Sequence, residues 1–167
     1  INSRPRWSDS SHINRLLILW IKFKTMITYH LEGVEKPKIC TRRTSKWVKE
    51  VAEKHGKIVG EIAYIFCSDE YIIDVNRKFL NHDYYTDVIT CDYSEGNKIS
   101  GDIFISLDTV KTNAETFNQD YYNELERIII HGILHLCGFK DKDPKDKEEM
   151  TFQEDEAIKL LIKPLKK

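Results

Sequence analysis

The chain has 167 residues, 41% of them hydrophobic and 32% charged, with only seven glycines and four prolines. That excludes fibrous and disordered classes and leaves one ordinary domain long enough to bury a core. The formal net charge of -1 excludes the strongly basic balance of a dedicated nucleic-acid-binding domain, so any RNA affinity must come from a local patch.

Residues 1–25 begin Ser/Arg-rich without an initiating Met, and Met26 opens the first clean alternating stretch. The expectation is a non-native or disordered extension over 1–25 and one domain over 26–167. Leu16 to Ile21 (LLILWI) falls far short of the roughly 20 apolar residues that a spanning helix needs. A signal peptide would want a longer apolar run and a small-residue cleavage site. A cytoplasmic protein with no membrane partner and no nucleotide cofactor is therefore expected. The cysteines at 40, 67, 91 and 137 form no C-x-x-C pair, which argues for reduced, mostly buried thiols.

From Met26 the pattern predicts a strand over Ile27 to Leu31, a helix over Thr44 to Lys54 and a β-rich run over Lys57 to Cys67. Ser68 can cap a helix to Asn81 that buries Ile72, Val75 and Phe79. Thr86 to Tyr93 and Ile99 to Leu107 read as strands around a turn at 94–97, and Asp108 can cap a helix through Phe117. Apolar residues at steps of three and four predict a helix from about Asp120 to Cys137, with Gly138 as its stop. Asp143 and Pro144 open the last helix, to Ile162. The class is α+β: a small mixed sheet of about four strands with about five helices.

His131 and His135 are four apart, which places both imidazoles on one helix face about 6 Å apart along the axis, near enough to share one ion. Such a pair can also be satisfied core histidines. Here the helix is otherwise apolar (IIIHGILHLCG), and unpaired imidazoles in it would cost about 1–3 kcal/mol each, a cost that a bound metal removes. A catalytic zinc site needs a third protein ligand and an open position. The chain can reverse at Gly138, so Asp141 and Asp143 are the candidates; Asp143 already has the role of capping the last helix, which favours Asp141. Gly132 stands where H-E-x-x-H peptidases carry their Glu base, which disfavours that class. The glycine can let a strand or a substrate approach closely, or can equally serve tight helix packing.

HGILHLCG and the polar turn after it resemble the H-G-x-L-H-L-x-G-x-x-H signature of the YbeY family. VNRKFLNHDYYTDVIT at 75–90 and GDIFIS at 101–106 are similar to two further family motifs in the same order. Together the likeness covers roughly Glu61 to Glu156. It implies a metal-dependent endoribonuclease specific for single strands, acting in 16S ribosomal RNA 3′-end maturation and ribosome quality control, with the small ribosomal subunit as partner and one divalent ion, most simply Zn2+, at the end of a core helix. His131 and His135 match the first two ligands and Asp141 the third, which the family usually fills with His. Leu80 stands where the family usually carries Arg, so a phosphate-gripping role would be lost or would pass to Arg77 or Arg127, either of which can equally be a solvated charge. Asp87 and Asp102 lie in the shared motifs and are candidate carboxylates beside the metal or RNA contacts. Tyr84, Tyr85 and Tyr93 are candidate base-stacking residues, and Lys163, Lys166 and Lys167 a weak candidate for RNA affinity. Two other classes stay open: a non-catalytic assembly factor whose metal only ties the last helix down, and a metal hydrolase of peptides or small molecules.

Overall fold

Alternating apolar side chains build the centre of the molecule. In the computed structural model, which describes residues 25–80 and 86–162, the strands β1 (Met26–Glu32), β2 (Ile58–Cys67), β3 (Val88–Asp92) and β4 (Lys98–Ser106) form one sheet in the order β1-β2-β4-β3. β1 is parallel to β2 and β2 to β4, whereas β3 is antiparallel to β4. Parallel neighbours need a crossover, and helices supply it: α1 (Thr41–Lys54) follows β1 and α2 (Asp69–Leu80) follows β2. After β4 come α3 (Leu107–Thr116), α4 (Tyr121–Leu136) and α5 (Pro144–Ile162). The mixed four-stranded sheet and five helices among the described residues agree with the expected α+β class.

One face of the sheet presents Ile62, Tyr64, Phe66, Ile99, Ile103 and Ile105 to a core shared with Leu125, Ile129 and Ile133 of α4 and with Trp47 of α1. The other face holds a smaller cluster, where Cys67 and Ile89 meet Ile72 and Val75 of α2. The N-termini of α2 and α3 are tied to each other by side chains. The carboxylate of Asp69 accepts the hydroxyls of Ser106 and Thr109, and that of Asp108 accepts the Asp69 N–H at 3.0 Å.

Gly132 owes its identity to packing. A β-carbon there would meet Ile103 of β4 at 2.9 Å, so the missing side chain lets α4 lie against the sheet. Gly132→Val should cost about 1–3 kcal/mol by overpacking, read as a lower urea midpoint, and Ile103→Val in the same chain should recover part of it. An unchanged midpoint would return the glycine to substrate access.

Several local expectations need correction. α1 starts three residues earlier than Thr44, at Thr41, from a Cys40 cap that makes no side-chain bond. Ser106, not Asp108, caps α3, its Oγ accepting the Thr109 N–H at 3.2 Å; the serine also ends a strand, which hid its second role. Phe79 is 70% exposed, because the buried stripe of α2 is confined to Ile72 through Asn76, where the sheet meets it. Only Cys67 of the four free thiols is buried, with Cys91 and Cys137 half-buried and Cys40 exposed. Residues 1–24 of the N-terminal extension, Asn81, Tyr84, Tyr85, Lys163, Lys166 and Lys167 lie outside the described residues, as does the side chain of Leu80. No helix among the described residues is long and apolar enough to cross a membrane.

Candidate metal centre

The last turn of α4 and the turn after it place the site. Cys137 ends the helix, and Gly138 follows with φ +106°, a conformation that glycine adopts without strain. The Phe139 N–H then donates to Leu134 O at 3.0 Å and the Gly138 N–H to His135 O at 2.9 Å, the two bonds of a Schellman stop. That reversal aims the Phe139 carbonyl at His135, whose Nδ1 donates to it at 3.0 Å. It also carries the chain back to Asp141. His131 Nδ1 donates to a Glu154 carboxylate oxygen of α5 at 2.6 Å.

Because each Nδ1 faces a group that only accepts, each imidazole carries its proton there and turns a lone pair out at Nε2. The two Nε2 atoms are 2.9 Å apart, and Asp141 Oδ2 lies 3.4 Å from both. Three electron-pair donors in mutual contact repel one another unless a proton shared by the two rings or a cation sits among them. A tetrahedral zinc bound at about 2.0–2.1 Å keeps its ligand atoms about 3.3–3.4 Å apart. The Asp141 separations match that spacing, and the histidine pair needs to open only slightly, so His131, His135 and Asp141 fit such an ion. Burial pushes His131 down, but the bond and charge of Glu154, with Asp141 and Asp87, outweigh it and raise the group above its ordinary pKa. His135 is lowered, by burial first and then by its neighbour His131.

The three residues open on a cleft of about 520 Å³ that is also lined by Asn76, Asp87, Thr90, Asp92 and Lys142. Asp87 is thus brought to the site. Asp102 is not: it accepts the Tyr93 hydroxyl at 3.3 Å and lines a separate hollow with Met26, Thr28 and Glu61. Arg77 stands outside the cleft's described lining, 3.7 Å from Asp74. Arg127 points into α5, bonding Glu154 at 2.9 Å and Asp155 at 2.8 Å. Asp143 caps α5, its Oδ1 accepting the Asp146 N–H at 2.9 Å.

Sequence reasoning passed over Glu154, Asn76, Thr90 and Lys142. Two of these had a signal: Glu154 stands on the apolar stripe of Met150, Ala157 and Leu161, and Asn76 stands four residues after Ile72, each a polar residue at a core position. Thr90 closes the family-like stretch 75–90, and Lys142 stands in a run of alternating charge that reads as a solvated face. The Thr90 hydroxyl is the buried side-chain polar atom without a partner among the described residues.

Fold and site together define a small α+β protein with a His-His-Asp centre of the metal-binding kind, open on one side to a cleft. A family model described as Endoribonuclease YbeY matches residues 31–161, and the chain belongs to that family. It is 60% identical over 136 residues to "Endoribonuclease YbeY" of Phocaeicola vulgatus, which covers 81% of this chain and 99% of that protein. The protein of the same name from Porphyromonas gingivalis is 53% identical over 135 residues, 81% of this chain and 89% of that one. Among solved structures, the solution structure of TM1509 from Thermotoga maritima superposes with a TM-score of 0.61 at 28% identity, covering 81% of this chain and 89% of that one.

Proposed function

We propose that the chain is a metal-dependent endoribonuclease that cuts single-stranded RNA, with the 3′ region of 16S ribosomal RNA on the small ribosomal subunit as its substrate. It would act in the cytoplasm, in rRNA maturation and ribosome quality control, as one domain over residues 26–167. The observation that carries this reading is the convergence of His131 Nε2, His135 Nε2 and Asp141 Oδ2 at the cleft. Two imidazoles and a carboxylate suit zinc. When bound, such an ion supplies a Lewis acid and lowers the pKa of its water to about 7.

The chain's own residues do the rest. The hydrogen bonds of His131 to Glu154 and of His135 to Phe139 hold both rings in one tautomer. Asp87, which with Asp141 lines the cleft and acts on His131 by its charge, would take a proton or orient the RNA. Asp87, Asp92 and Asp141 would repel a phosphodiester, and Lys142 is the cation among the described lining residues that offsets them. Lys142, rather than Arg77 or Arg127, then fills the role that the family's Arg would have at position 80.

A single-stranded RNA carrying a 16S 3′-end sequence tests this. Cleavage is expected with zinc, is lost after chelation and returns when zinc is restored. A second reading, the non-catalytic assembly factor, is favoured by one observation: Asp141 lies between α4 and α5, so an ion there would also tie α5 down. A folded, zinc-loaded protein that leaves the RNA intact would establish that reading instead, and cleavage that resists chelation would point to a contaminating nuclease.

A further inference from the structure

Glu154 is a carboxylate only 7% exposed, and a buried charge is tolerated only when its oxygens are partnered. Both are. One oxygen takes the His131 Nδ1 proton at 2.6 Å, and the other takes Arg127 Nη1 at 2.9 Å. The second Arg127 nitrogen is spent on Asp155 at 2.8 Å. Asp155, Arg127, Glu154 and His131 thus form one line of charge-assisted bonds that passes back and forth between α5 and α4, and such bonds are short and directional. At the end of that line stands the imidazole whose opposite nitrogen faces Asp141 and His135.

We propose that Glu154, held in place by Arg127, is a positioning residue for the metal centre: it fixes the tautomer and ring direction of His131 so that Nε2 is presented to the ion. The inference rests on the metal-centre reading above. It gives Arg127 a role away from substrate. A carboxylate that merely tied α5 to α4 would leave metal affinity alone, whereas one that orients a ligand sets it, with losses of roughly 10–100-fold when such a partner is removed.

The test is zinc affinity of the full chain, measured by competition with a chromophoric chelator. Glu154→Gln, which keeps a neutral acceptor, should weaken zinc binding about 10-fold, and Glu154→Ala, which keeps none, about 100-fold; Arg127→Met should weaken it in the same direction. Arg43→Met is the control, because Arg43 ties the far end of α5 by donating to Leu161 O at 2.9 Å and does not touch His131. It should bind zinc as the parent does. Histidine 15N shifts of the metal-free protein should show His131 with its proton on Nδ1 in the parent and a mixture of tautomers in Glu154→Ala. The proposal is overturned if both Glu154 variants bind zinc like the parent, or if Arg43→Met loses as much affinity as they do. A parent that binds no zinc at all would instead overturn the metal centre itself.

Discussion

His131→Ala, His135→Ala and Asp141→Ala should each lower single-stranded RNA cleavage by about 10³-fold or more at saturating zinc. A catalytic ion contributes several kcal/mol of transition-state stabilisation, and about 4 kcal/mol is about three orders of magnitude in rate. All three side chains give one atom to the same point, with Asp141 Oδ2 at 3.4 Å from each Nε2. Asp143→Ala is the contrast. Its carboxylate holds the first turn of α5, so the variant should lose about 0.5–2 kcal/mol of stability and stay within a few-fold of parental cleavage. Asp141→His, which puts an imidazole at the position the family usually fills that way, should bind zinc at least as tightly and retain cleavage. Rates and zinc content measured together decide the matter. An Asp143 variant that loses its metal while the Asp141 variant keeps it would reverse the assignment of the third ligand.

How far the sequence reached can be traced residue by residue. The two histidines were legible because spacing of four on an apolar helix is a local fact, and the turn to Asp141 was legible because Gly138 announces a helix end. The strand and helix order was carried by periodicity, with capping and turn residues marking the ends of the elements. What escaped depends on side chains meeting across distance. Arg127 looks like a cation four residues before His131, available for phosphate, until α5 packs beside it and brings Glu154 and Asp155 within reach. Asp102 and Asp87 sit in equally suggestive motifs, and only the sheet's geometry sends Asp87 to the cleft of the two histidines and Asp102 to a separate hollow. Phe79 fits the stripe of α2 by spacing, yet the sheet covers only the middle of that helix.

Trp47→Ala should lower stability by about 3–5 kcal/mol, a fall of about 6–20 °C in thermal midpoint for a chain of this size. Trp47 is 2% exposed in the core, and its indole N–H donates to Ala157 O of α5 at 2.7 Å. The loss combines a large apolar side chain with the bond that fixes α5 against α1. Trp47→Phe separates the two, because it restores most of the buried ring and should lose mainly the hydrogen bond, about 0.5–1.5 kcal/mol. Zinc supplies an independent measure. A ligand at 100 times its Kd raises stability by about 2.7 kcal/mol, and parent and Trp47→Ala should gain the same increment, because the variant's folded molecules keep His131, His135, Asp141 and Glu154 in place. Equal increments mean that α5 docking and metal holding are separate contributions to one fold. A smaller increment in the variant would mean that the ion must first pull α5 home, making Trp47 part of the metal site's support at a distance.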